Sequence, residues 1–380
     1  MRDQSAPLGA RPQCDAADIR PCAAYELVRT AEKAEGEREL LAFARGCPAV
    51  LRPREPGLAS VVINDATVAF YDAVARGAVP PCEARALERL VLDRVLELRT
   101  EGRWVSGARA VSRFGLAEPA PTPDDHVGRI SHDALLYGQT LRTAGVTTLA
   151  QRLYFFNRRP LSASWQHRFP SRDAVSHALG LSRGGSARRR LAPDHTLIEG
   201  PSWFRVQRRG APSSAQYRHK LYVSPTPETL PEVFQTALQA LVAHPRCTFK
   251  VAATTAGLLR PDKFLAYFAT AAEAMQMGLQ LQRTLDGAPV HGVPFTTSIG
   301  MNGLVSRGLD PPGSEGVGAA SWRSWLCETL ATALVIWRAS PTDGCEPWQF
   351  ALHRIALAGV DPRTWRPLDV GWDHTDIQVP

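Results

Sequence analysis

Apolar positions in the first half of the chain recur mostly at helical spacing. Residues 23–46 predict one or two helices, and Val61-Val62-Ile63 a short strand. Residues 82–101 predict an amphipathic helix, with Leu87, Leu90, Val91, Val95 and Leu98 on one face and Arg and Glu opposite. Pro119, Pro121 and Pro123 mark a break. A further helix is expected from Ser131, as N-cap, towards Phe155. Residues 183–190, RGGSARRR, read as a positive loop that is exposed and mobile. It is either a solvated linker or a dock for an acidic leader peptide or a phosphate backbone.

From residue 196 the period shortens. TLIEG and SWFRVQRR predict a hairpin turning at Gly200-Pro201. RHKLYVS, TFKVAA and KFLAYF predict three more strands. Helices are expected over 228–243, 270–285, 319–338 and 347–358, and a long Gly/Pro-rich segment over 287–314. This order implies an α+β fold: a C-terminal twisted mixed sheet with packed helices, after a mainly helical N-terminal region. The expected division is a flexible 1–22, a helical 23–195 and an α+β domain over 196–380.

Composition adds three constraints. No apolar run reaches about 18 residues and the N-terminus has no apolar signal segment, so a cytoplasmic protein without a membrane span is expected. Seven scattered cysteines without a CxxC or a Cys/His cluster point to a reducing compartment and away from structural zinc. The net charge of +7 calls for an acidic partner, and no nucleic-acid motif accompanies it. Of 44 basic residues only four are lysines, and Lys220, Lys250 and Lys263 fall close together. Lysine can lose its proton when buried among cations, whereas arginine cannot.

Strand alternation places Lys220, Tyr222 and Ser224 on one face of their strand. Lys263, Leu265 and Tyr267 share a face of another, and Lys250 stands opposite in face to Phe249 and Val251. If these strands are neighbours, one sheet face presents Lys220, Tyr222, Lys250 and Tyr267, with Arg260 at its rim. Either an anion sits there or the face is open to solvent.

The segments KLYVSPTPE, FKV, RPDKFLAYF and VPFTTSIGMNGL, the SWRSW helix and LYFF at 153–156 resemble the HopA family. That family was known first as type III secretion effectors, and relatives act as lyase components in class V lanthipeptide biosynthesis. A more distant likeness is to phosphothreonine lyases. Those carry a Lys-x-His-x-Ser strand, then Phe-Lys, then an Arg and a Tyr. The resemblance covers about residues 150–370. It implies that Lys250 is the general base and Lys220 the first lysine, with Tyr222 where those enzymes have the general-acid histidine. It also implies that Arg260, Tyr267 and Lys263, with Arg307 and Arg323 downstream, bind substrate phosphate. The reaction implied is β-elimination of phosphate from a phosphorylated precursor peptide. A separate kinase makes the substrate, and no cofactor or metal takes part. A non-catalytic phosphopeptide-binding module and an effector are the rival readings. His126, His132 and His167 lack ligand spacing, and Asp124-Asp125 has no partner in the sequence. Trp322, Trp325 and Trp337 read as core anchors.

Overall fold

The computed structural model describes residues 16–30, 48–54, 60–78, 84–115, 125–210, 217–311 and 321–368. Residues 1–15 of the expected tail, residues 31–46 of the 23–46 stretch, the proline break, the loop at 211–216, and Cys14, Cys47 and Cys82 lie outside these. The chain divides into two units. One takes Met1–Pro119, Thr332–Leu357 and Gln378–Pro380; the other takes Ala120–Ala331 and Ala358–Ile377.

The first unit holds two small antiparallel sheets. One joins β1 (Ile19–Pro21), β5 (Leu96–Thr100) and β6 (Arg103–Val105); the other joins β2 (Tyr25–Arg29), β3 (Ala49–Pro53) and β4 (Val61–Ile63). The strand at Val61–Ile63 was expected and the other five were not; over the described part of 23–195 helices outweigh strands, as expected. The helix expected over 82–101 covers only Ala84–Leu92. Arg94 then turns left-handed, φ 60°, while Arg94 N–H donates to Val91 O and Val95 N–H to Leu90 O. That is the double bond of a Schellman stop. Glycine normally supplies it; here arginine does, so residue type gave no warning, and Leu96 and Leu98 continue the apolar face as a strand.

The second unit is built on a seven-stranded sheet. Its strands are β7 (His195–Glu199), β8 (Trp203–Arg208), β9 (His219–Val223), β10 (Thr248–Ala252), β11 (Phe264–Phe268), β12 (Thr297–Ile299) and β13 (Val305–Leu309). Their order is β12-β13-β9-β11-β10-β8-β7. Every pairing is antiparallel, which corrects the expected mixed sheet. All five expected strands are present. The Gly/Pro-rich segment supplies β12 and β13, which sequence reading missed.

One sheet face is apolar. Phe204, Val206, Leu221, Val223, Phe249, Val251, Phe264 and Ala266 are buried there together with Val233, Phe234 and Leu238 of helix Leu230–Ala243 and Met277 and Leu281 of helix Ala271–Thr284. A capping box between Thr270 and Glu273 starts the latter helix. The helix expected from Ser131 starts at His126, where Asp125 accepts from Gly128 N–H at 2.6 Å, and ends at Thr140. A separate helix, Val146–Tyr154, follows. Ser131 is instead a buried tie, donating to Val127 O and accepting from Phe295 N–H. The arginine-dense stretch is not a loop: Ser186–Leu191 is helical, anchored by buried Ala187 and Leu191. Arg183, Arg189 and Arg190 are exposed, while Arg188 pairs with Glu199. Among the described residues no helix is long and apolar enough to cross a membrane.

Candidate active site on the polar sheet face

Register settles which side chains share the other face. Residues directly opposite in an antiparallel ladder point the same way. One row runs Ser306–Tyr222–Leu265–Lys250–Arg205 across β13, β9, β11, β10 and β8. The next runs Gly308–Lys220–Tyr267–Thr248–Gln207. Lys220, Tyr222, Lys250 and Tyr267 therefore share one face, as alternation predicts. His219 opposes Phe268 and Leu309 and belongs to the other face.

The cations on this face differ in how they are held. Lys220 Nζ lies 2.6 Å from Asp310 Oδ2 and 5.5 Å from the centre of the Tyr267 ring. Lys250 Nζ lies 5.5 Å from the same ring and 4.5 Å from that of Trp203, and pairs with no carboxylate among the described residues. Burial, reinforced by Lys220, Arg205 and Arg260, pulls its pKa down to about 8 against the opposing pull of Asp262. Tyr222 is buried, and desolvation with the nearby Asp310 charge raises its phenol well above the ordinary range. Tyr267 is raised for the same two reasons. Both phenols keep their protons at neutral pH.

Arg260 stands at the edge, its guanidinium fixed by two 2.8 Å bonds to the Asp262 carboxylate. Tyr154, Phe155 and Trp203 surround it at 5.3 to 5.7 Å. This leaves Nη1 without a bond to a described residue. Asp262 is buried and also accepts from Tyr154 Oη at 3.0 Å. Burial alone would raise its carboxyl, but Arg323 and Arg260 hold it far below the usual carboxylate range.

Three assigned residues are placed differently from the reading. Arg323 is 1% exposed, with every guanidinium nitrogen engaged. Nε donates to Pro294 O at 3.1 Å and Nη2 to Tyr154 O at 2.6 Å. Nη1 stands 3.0 Å from Asp262 Oδ2 as an ion-pair contact without hydrogen-bond alignment. It braces Asp262, and through it Arg260, instead of offering a free fork to a ligand. Lys263 is fully buried, with Nζ donating to Pro225 O at 2.8 Å and lying 2.8 Å from His291 Nδ1. Desolvation lowers the pKa of Lys263 well below the lysine range and that of His291 to about 3. Neutral His291 then accepts at Nδ1 and donates from Nε2 to Asn157 O at 2.5 Å, so the group is a structural tie. Arg307 opposes Leu221 and Thr297 and so faces the helix-covered side. Ser224 is likewise structural, donating to Pro261 O at 2.7 Å.

Sequence reading missed Asp262, Asp310, Trp203 and Arg205. The last two had a signal, since they alternate with buried Phe204 and Val206 in SWFRVQRR. Asp262 lies inside the quoted segment RPDKF, but nothing local shows that it pairs with Arg323, 61 positions on. Among the described residues no cluster of three His, Cys, Asp or Glu side chains could hold a metal ion. The four described cysteines, Cys22, Cys247, Cys327 and Cys345, are free and buried.

Fold and site together define an α+β protein whose antiparallel sheet has one apolar face and one cationic, aromatic-walled face. Among solved structures, the effector protein of Pseudomonas syringae pv. tomato strain DC3000 aligns with it at 13% identity, over 64% of this chain and 98% of that one, with a TM-score of 0.38. The effector protein of Pseudomonas syringae pv. syringae strain 61 aligns at 13% identity, over 63% and 99%, with a TM-score of 0.40. The Chromobacterium violaceum VirA (SpvC) phosphothreonine lyase effector aligns at 17% identity, over 36% and 77%, with a TM-score of 0.27. No protein-family model matches the chain. No curated protein matches it.

Proposed function

We propose that the second unit eliminates phosphate from phosphoserine or phosphothreonine residues of a peptide. One observation carries this reading: Lys250 is a partly buried cation on the polar face that pairs with no carboxylate among the described residues, and its pKa is drawn down to about 8. Lys220 is paired with Asp310 and Arg260 with Asp262. An amine near neutrality beside surplus positive charge suits a general base working next to a bound dianion.

In the proposed step the lone pair of neutral Lys250 takes the proton from Cα of the phosphorylated residue. The Cα–H electrons form the Cα–Cβ double bond, and the Cβ–O bond breaks with its electrons leaving on phosphate. Arg260 Nη1 and Lys220 receive the phosphate, and Lys220 or the Tyr222 hydroxyl donates to the carbonyl oxygen that gains charge. A phosphate neutralised in this way leaves without full protonation, so the missing histidine at position 222 does not stop the reaction. The substrate in this reading is a phosphorylated precursor peptide in lanthipeptide-like maturation, supplied by a separate kinase.

Tyr222 supports a second reading, a binding module that holds phosphopeptides without turning them over. Its phenol is raised far above the range of an effective acid. Substitution separates the two. Lys250→Ala removes elimination and leaves phosphopeptide binding, because the base acts only in the transition state. Lys250→Arg is nearly as inactive, since arginine keeps the charge and accepts no proton. Elimination that persists in both variants would overturn the role given to Lys250.

A further inference from the structure

We infer that the outer edge of β7 docks an acidic, extended segment of the peptide substrate as an eighth strand of the sheet, at a distance from the phosphorylated residue. The choice of partner rests on the elimination reading; the docking edge does not. β7 ends the sheet order and pairs only with β8. Gly200 N–H donates to Trp203 O at 3.0 Å and Arg209 N–H to Asp194 O at 2.8 Å, in the register that sets Ile198 opposite Arg205. Bonded pairs alternate along an antiparallel ladder, so Thr196 and Ile198 direct their N–H and C=O to β8. Those of Leu197 and Glu199 point outward, and no described residue bonds them. Sheet edges are normally blunted by lysine, proline, a bulge or shortness. The opposite edge, β12, is three residues long and tied by Thr297 Oγ1 to Trp365 O. β7 is five residues, HTLIE, without lysine or proline, and its one carboxylate is neutralised by Arg188 at 3.0 Å and Arg172 at 3.6 Å. Such an edge is the template for strand addition, in which main-chain bonds supply the affinity.

Charge selects the partner. Residues 183–209 hold seven arginines against two acids, Asp194 and Glu199, a surplus of five in a chain whose net charge is +7. Helix Ser186–Leu191 lies against β7 and buries Ala187 and Leu191 in the apolar core, so its exposed Arg189 and Arg190 belong to the helix-covered side. Ile198, 42% exposed, belongs to the other side, in the row of Lys250. Side chains of an added strand alternate between the two sides. The segment therefore alternates carboxylates, towards the arginines, with apolar residues, towards Ile198. Strands lie about 4.8 Å apart, which puts an added strand about 14 Å from β10. At about 3.3 Å per residue, at least about five residues separate the segment from a phosphorylated residue held over Lys250.

The probe is an alternating Glu/Val peptide, used alone or joined to phosphothreonine by a Gly/Ser spacer shorter or longer than about five residues. Binding of the labelled, unphosphorylated peptide to the whole protein is read by fluorescence anisotropy at low salt. N-methylation of alternate amides is diagnostic of strand addition. Methyl groups on the amides that face β7 should weaken binding about tenfold or more, and methyl groups on the other set should leave it unchanged. Leu197→Pro removes an outward N–H without removing a bond to β8, and should weaken binding to a similar degree. Lys in place of Glu in the peptide should abolish it. Joined through the long spacer, the segment should lower KM for elimination about tenfold at unchanged kcat, and through the short spacer it should give no gain. Binding indifferent to which amides are methylated, or equal for the Glu and Lys peptides, overturns the inference. So does a dimer paired through β7 that the peptide fails to dissociate. Docking without a KM gain from the long spacer overturns the assignment to the substrate. Docking without elimination of any peptide overturns the lyase reading and leaves the docking edge standing.

Discussion

Lys250 has a thermodynamic consequence separate from its chemistry. Its folded-state pKa is about 8 against an ordinary 10.5, so the native state resists its protonation more than the unfolded chain does. Below pH 8 both states are protonated and the penalty is complete. As pH rises from 8 to 10.5 the unfolded chain alone keeps the proton, stability increases, and above that range the penalty is gone. Lys250→Met should therefore be more stable than the wild type at pH 7. The pH-dependent part of that gain is about 1–2 kcal/mol, after discounting the full shift for the partial exposure of the side chain. Urea denaturation at pH 7 and pH 10.5 checks it, and an equal gain at both would show that the lysine is not desolvated. Strand alternation put Lys220, Tyr222, Lys250 and Tyr267 on one sheet face, and the register agrees. The residue pattern did not show that parity turns Arg307 to the helix side, nor that Lys263 and Arg323 are held by Pro225, His291, Pro294 and Tyr154, all distant in sequence.

At the scale of elements, β13 explains why part of the sheet was illegible. Its Gly308 weakened the strand signal inside a Gly/Pro-rich segment. Yet Gly308 opposes Lys220, and a Cβ there would meet Trp322 Cδ1 at 2.5 Å and Cγ at 2.8 Å. The indole of Trp322 occupies the space of the absent side chain, with Nε1 donating to Phe295 O at 3.0 Å. Its backbone N–H donates to Asp310 Oδ1 at 2.8 Å, the carboxylate that also holds Lys220. Gly308→Ala must displace this rigid ring and the helix start that carries Arg323. It should cost about 1–3 kcal/mol of stability, read from the denaturation midpoint at constant slope. Wild-type stability in this variant would mean that the strand and helix do not pack as described. The Arg94 stop after helix Ala84–Leu92 illustrates the same limit, since a left-handed arginine gives no sign of itself in the residue pattern.

At the scale of the molecule, the α+β class, the helix-rich stretch before residue 196 and five strands of the large sheet followed from periodicity and turn residues, and the short strands of the first unit other than Val61–Ile63 did not. Short strands such as Tyr25–Arg29 and Ala49–Pro53 pair across the chain, and local propensity does not report pairing. The net charge of +7 suits an anionic partner without specifying the chemistry done on it. The most direct measurement is mass spectrometry of a phosphothreonine peptide incubated with the whole protein. Elimination predicts a product lighter than the starting peptide by one phosphoric acid, carrying a dehydroamino acid that adds an external thiol. Recovery of plain threonine would mean hydrolysis. An unchanged peptide that nevertheless binds would contradict the account and leave a binding module.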